Sequence, residues 1–228
     1  MVRPSGAGRS WFRIDHFLGK QTVRNILGLR FANRLFEPLR CAAHIERVDI
    51  GWDETVTLEG RAGYCDRAGA LRDMIQNHLL QLLTFVAMDR PAGLEGPMRD
   101  AKADVLRSAR RPDPDDVRRD TVRGRYTAGT IGYRTVPDYA DEPGVDPTRA
   151  TETLAEVTLF IDNDRWRDVP FRLRTGKALG ANRRQIQIQF RAVDRLPFGQ
   201  PDEPDEPGPN IISLSMNPDR IAIELALR

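Results

Sequence analysis

Two cysteines in 228 residues, Cys41 and Cys65, are too few for a disulfide framework, and neither has the paired spacing of a metal-ligand motif. They read as reduced thiols, and no metal site is indicated. Histidine is as sparse, at three residues. Lysine is nearly absent: of 35 basic residues only Lys20, Lys102 and Lys177 are lysines, and the remaining 32 are arginines. No apolar run approaches the roughly 20 residues that cross a bilayer. The opening MVRPSGAGRS lacks the apolar core of a secretion signal, so a cytoplasmic protein with no membrane partner is expected. A formal net charge of +2, with arginines and acids interspersed and no aromatic platform, does not describe a nucleic-acid surface. The GAG at 6–8 follows no strand and lacks a third glycine, so it is not a nucleotide-binding turn. Such an arginine bias more often reflects a GC-rich coding sequence than chemistry. Against it a retained lysine is informative, because a compact, flexible ammonium does what a planar guanidinium cannot.

The chain is long enough for a sizeable core. Residues 1–12 read as a loose leader. From Gly19 to about Phe36, Val23, Ile26, Leu27 and Arg30/Phe31 recur at helical spacing. HIERVDIGW and ETVTLEG read as two strands. RAGALRDMIQNHLLQLLTFVAM, 67–88, predicts one long helix whose apolar stripe runs through Leu71, Ile75, His78/Leu79, Leu82 and Val86. A helix over 97–109 precedes RPDPDD, which reads as a loop. GRYTAGTIGY, ATETLAEVTLFID, VPFRLRTGK, RQIQIQFRAV, NIISLSM and RIAIELAL then read as successive strands, with a proline-rich acidic surface loop at about 197–209. Helices come early and strands late without βαβ alternation. That order predicts an α+β fold, helices packed on a large, mainly antiparallel sheet.

The chemistry-bearing residues have ordinary readings too. RIDHFLGK, 13–20, fits either an N-cap at Asp15 or an anion site in which His16 and Lys20 add donors to a helix N-terminus. His78 fits a hydrogen-bonded core histidine. With Asp73 and Asn77 close in sequence, and the RIDH acid as an orienting partner, it also fits a general base. Glu54 and Glu59 look like strand-edge solvation, and the arginine pairs at 110–111, 118–119 and 183–184 like solvated faces. RTGKAL, 174–179, lacks the second glycine and the hydroxyl of a phosphate-binding loop; the scarcity of lysine still favours a role for Lys177.

Two of these segments together resemble one family. RIDHFLGK followed by LRFANRLFEPL, and EGRAGYCDRAGALRDMIQNHLLQLL, are similar to the signature region and active-site helix of the glucose-6-phosphate dehydrogenases. VPFRLRTGKAL is similar to that family's substrate-lysine loop, and the likeness runs from about Arg13 to Phe190. The resemblance implies a C-terminal-type domain over 13–228. It also implies oxidation of D-glucose 6-phosphate to 6-phospho-D-glucono-1,5-lactone with NADP+, the entry of the pentose phosphate pathway. Carried onto matching positions, His78 is the general base and Asp15 its orienting carboxylate. His16 and Lys20 hold the 6-phosphate, Glu54 and Asp73 hydrogen-bond the sugar, and Lys177 reaches the substrate from the sheet. The family's sheet implies a homodimer or tetramer.

Three positions depart from the family pattern: Phe17 stands where a tyrosine is common, Gln21 where a glutamate is, and Asn182 near another cation, for which Arg183 or Arg184 is a candidate substitute. No dinucleotide-binding domain precedes Arg13, so a separate such domain is an expected partner. The 228 residues by themselves are expected not to reduce NADP+, for lack of a positioned acceptor. The competing expectation is a non-catalytic sugar-phosphate-binding or dimerisation module.

Overall fold

The computed structural model describes residues 21–93, 96–193 and 208–225. The leader 1–12, the RIDHFLGK segment with Asp15, His16, Phe17 and Lys20, and most of the proline-rich loop lie outside the described residues.

The chain builds a seven-stranded sheet with helices on one face. Helix α1 (Gln21–Phe31) leads into β1 (Ile45–Asp53), and α2 (Ala62–Ala70) continues into a π-helix (Leu71–Leu79) and α3 (Leu80–Ala87). Helices α4 (Gly96–Arg107) and α5 (Pro114–Asp120) precede β2 (Thr121–Gly124) and a small hairpin, β3 (Gly129–Ile131) with β4 (Arg134–Val136). The remaining strands are β5 (Leu154–Phe160), β6 (Pro170–Gly176), β7 (Arg183–Phe190), β8 (Ile211–Ser215) and β9 (Arg220–Glu224). Their order is β2-β5-β6-β1-β7-β8-β9, antiparallel throughout except for β1 beside β6. This is the α+β architecture expected from the order of elements.

Alternation sets the two faces. In β7, Ile186 and Ile188 are buried while Gln185 and Gln187 point the other way; across the ladder they meet Ile50 and Val48, and Gly51 and Asp49. Phe171 and Leu173 of β6 join the inner face under Leu79, Leu82 and Val86. The outer face is polar: Arg172 binds Asp49 at 2.7 Å, and Arg174 reaches Asp53 and Glu156.

The carboxyl end of α3 is closed by side chains. A helix leaves its last carbonyls without intrahelical donors. Here Arg30 donates to the Phe85 and Met88 oxygens, Arg40 to Val86 and the Trp166 indole to Ala87, at 2.6–2.8 Å. Arg30 is fully buried and also grips both Glu37 oxygens, at 3.0 and 3.1 Å. Cations belong at a helix carboxyl end, where they meet the negative pole of its dipole. Burial, reinforced by Arg30 nearby, lowers the Arg40 pKa to about 9, so it still carries its charge at neutral pH.

Several local expectations are corrected. The predicted helix 67–88 is broken at Gly69, which takes φ +70° and ψ 165°; the stretch that follows is a π-helix. Helix α1 stops at Phe31, short of Phe36, where the Asn33 amide caps the Gly28 carbonyl at 3.1 Å. ETVTLEG is not a strand. Past Asp53 its backbone meets a turn instead of a neighbouring strand: Glu54 and Val56 carbonyls accept from Leu179 and Ala178, and Thr55 N–H donates to Asn182. RPDPDD is not all loop, because Asp113 and Asp116 form a reciprocal capping box that starts α5 with Pro114 in its first turn. GRYTAGTIGY splits into the end of β2 and the β3–β4 hairpin. Cys41 and Cys65 are free thiols.

Candidate functional site

The one parallel pair in the sheet brings two distant segments to the same edge. Asp53 and Gly176 are register partners at the carboxyl ends of β1 and β6, so Glu54 and Lys177 emerge side by side. The Glu54 N–H donates to the Gly176 carbonyl at 2.8 Å, and Lys177 N–H to Thr153 at 3.0 Å, which fixes both backbones. The Lys177 ammonium then stands 3.1 Å from Glu54 Oε2, with the two side chains only 14% and 19% exposed.

Glu54 Oε1 accepts from Arg184 at 2.9 Å and from the Trp52 indole at 3.2 Å. Arg184 comes from β7, directly opposite Trp52 in the ladder, and lies over the indole with its guanidinium carbon 5.0 Å from the ring. Burial by itself would raise the Glu54 carboxyl. Lys177, with Trp52 and Arg184, overcomes this and holds it below the usual carboxylate range. Arg184 is therefore not a solvated-face residue, and Glu54 is more than strand-edge solvation. Asn182 accepts from the Thr55 N–H at 3.0 Å, and Arg184, not Asn182, reaches Glu54.

The π-helix crosses the inner face of β5 and β6 and carries Asp73 and His78. Five positions apart, they would fall on different faces of an α-helix of 3.6 residues per turn. The i→i+5 ladder turns them back towards one side, and such segments recur at functional sites. Asp73 accepts from the exposed Tyr64 hydroxyl at 3.1 Å, which raises the tyrosine's pKa. His78 is 9% exposed, with Nε2 3.3 Å from the Asn77 amide.

Glu54, Asp73 and Lys177 line one small hollow with Gly69 and Glu152. Its volume is about 20 Å³, room for a water. His78 is not among its walls. Glu59, by contrast, is an exposed partner of Arg134.

Glu152 is the residue that sequence reading passed over. Its carboxylate accepts from the Leu71 N–H at 3.0 Å, at the start of the π-helix, and its carbonyl accepts from Ala70. A Cβ on Gly69 would overlap that carboxylate. The glycine inside an otherwise helical apolar pattern was the available signal.

The fold and this edge define an α+β domain with a half-buried cluster of paired charges at the ends of two parallel strands. Comparison with known proteins narrows the class. The family model described as "Glucose-6-phosphate dehydrogenase, C-terminal domain" matches residues 27–228. The glucose-6-phosphate 1-dehydrogenase of Treponema pallidum is 45% identical over 209 residues, 91% of this chain and 41% of the relative; that of Zymomonas mobilis is 49% identical over 188 residues, 82% and 38%. A solved glucose-6-phosphate 1-dehydrogenase from Mycobacterium avium superposes with a TM-score of 0.80 at 36% identity, covering 95% of this chain and 45% of that one. A structure described as glucose-6-phosphate dehydrogenase in complex with its substrate glucose-6-phosphate gives 0.77 at 36% identity, covering 90% and 40%. The chain belongs to the glucose-6-phosphate dehydrogenase C-terminal domain family. It spans about two fifths of the length of the curated relatives it matches.

Proposed function

We propose that this chain is the substrate-binding and proton-abstracting part of a cytoplasmic glucose-6-phosphate dehydrogenase, acting on D-glucose 6-phosphate with NADP+ in the pentose phosphate pathway. The convergence of Glu54, Lys177 and Asp73, from three separate segments, carries this reading. Each is a position that the family resemblance assigns to the sugar.

His78, on the π-helix, is the base that accepts the C1 hydroxyl proton; a neutral imidazole near pH 7 suits that task. Asp15 orients it, and His16 and Lys20 hold the phosphate, on the strength of the resemblance. Glu54 is already held as a carboxylate, so it accepts hydroxyl hydrogen bonds. Lys177 and Arg184 keep that charge in place, and Lys177 offers its remaining donors to the substrate. Among the described residues no glycine-rich turn joins a strand to a helix. The chain's own chemistry lies on the sugar side, with the dinucleotide held by a separate domain. Assembly as a homodimer or tetramer through the sheet rests on the family resemblance.

Calorimetry of glucose 6-phosphate on the 228-residue chain tests the reading. Saturable binding is expected, weakened about tenfold or more by Lys177→Ala, the scale of one lost charge-assisted hydrogen bond. Absence of binding, or equal affinity in the variant, would overturn it.

A further inference from the structure

A second cavity, of about 440 Å³, adjoins the candidate site and shares Glu152 with it as a wall. Four arginines reach it from four elements: Arg67 from α2, Arg72 from the π-helix, Arg123 from β2, and Arg149 from the turn before β5. Two carboxylates face them, and both are engaged already. Asp66 accepts from the Tyr139 hydroxyl at 2.8 Å and the Asp146 N–H at 3.2 Å, and pairs with Arg149 at 3.4 Å. Glu152 holds Leu71 N–H. Among the described residues, the side chains of Arg67, Arg72 and Arg123 make no hydrogen bond or ion pair.

Arg149 is also taken by Asp146, at 3.2 Å, so the four cations meet three carboxylates and the positive surplus rests on Arg67, Arg72 and Arg123, which have no partner among the described residues. Helix poles account for only one of the four: Arg67 lies in the last turn of α2, where a cation is favoured. Arg72 lies in the first turn of the π-helix, where the helix dipole disfavours a cation. Like charges gathered round a concavity repel unless something negative sits between them.

We propose that this cavity binds a polyphosphate anion, with Arg67, Arg72 and Arg123 as its ligands. A guanidinium fork takes two oxygens of a phosphate at once. Two linked phosphoryl groups offer the three forks six terminal oxygens where one phosphate has four, and a cavity of about 440 Å³ has room for both groups. The group is that of inorganic pyrophosphate or of a nucleoside diphosphate. The site stands independently of the sugar reading, because Lys177 and Asp73 do not line it.

Titration of the 228-residue chain with pyrophosphate, adenosine diphosphate and inorganic phosphate, followed by calorimetry, tests this. Pyrophosphate is expected to bind more tightly than phosphate, and each of Arg72→Ala and Arg123→Ala to weaken it about tenfold or more. Lys177→Ala should leave it unchanged. Tighter binding of the diphosphate than of pyrophosphate supports a nucleotide source, and the reverse an inorganic one. Both arginines are exposed, and circular dichroism of the variants reads folding separately; Arg67→Ala supplies an independent third position. Equal affinity for phosphate and pyrophosphate, loss of binding in Lys177→Ala, or retention in the arginine variants overturns the proposal.

Discussion

Two arginine clusters in this molecule have opposite physical character. At the carboxyl end of α3, Arg30, Arg40 and Arg165 are matched to acceptors: four main-chain carbonyls receive Arg30, Arg40 and Trp166, while Glu37 and Asp89 take the remaining charge. Beside Gly69, Arg67, Arg72 and Arg123 face a cavity and, among the described residues, make no hydrogen bond or ion pair. The first cluster closes a helix, and the second has its donors still free. Arginine count alone would rank the two alike. What separates them is burial and whether an acceptor is engaged.

The sharpest contrast is in stability. Arg30→Ala would leave the Phe85 and Met88 carbonyls without their side-chain donor and Glu37 with Arg165 alone, at a cost of about 3 kcal/mol. Arg72→Ala removes an exposed side chain without a partner and should stay within about 0.5 kcal/mol of wild type. Urea unfolding of both variants reads the difference, and a similar loss in the two would dissolve the distinction.

Next in size is Gly69→Ala. The residue sits at φ +70°, and its new methyl would displace the Glu152 carboxylate from Leu71. A loss of about 2 kcal/mol or more is expected. Glucose 6-phosphate binding should fall with it, because Asp73 and His78 ride on the helix that starts there. A variant as stable as wild type would mean that Glu152 does not anchor that helix.

The smallest effect is a pH dependence. The Glu54 carboxyl is lowered in the fold, so it binds protons less readily there than in the unfolded chain. Its contribution is present above the ordinary value of 4.5 and is lost as pH falls through the lower folded value. Lys177→Met should flatten that acid limb, where Arg123→Ala leaves it unchanged. Parallel acid limbs for wild type and Lys177→Met would show that the Lys177–Glu54 pair does not act as the geometry requires.

Much of the fold was legible because periodicity reports burial. Ile186 and Ile188 alternate with glutamines and lie inward, and Ile75, Leu79, Leu82 and Val86 form the stripe their spacing predicts. The break at Gly69 and the π-helix were not legible, since the apolar stripe runs on unbroken while a carboxylate 81 positions away occupies the gap. α5 was missed for the opposite reason: its acids and prolines read as a loop, yet Asp113 and Asp116 cap each other. Within the site, the scarcity of lysine singled out Lys177, but nothing beside Glu54 in the chain foretells that it meets Lys177 and Arg184.

By itself the sequence determined which residues are buried, roughly where helices and strands run, and which family supplies the pattern, because these depend on spacing and on runs of ordered motifs. Only the tertiary structure decided that Glu54 and Lys177 share an edge, that Glu152 starts the helix bearing Asp73 and His78, and which arginines have acceptors. Each of those follows from a register between strands or a contact across the fold. Neighbouring residues along the chain carry no trace of such partners until the sheet is assembled.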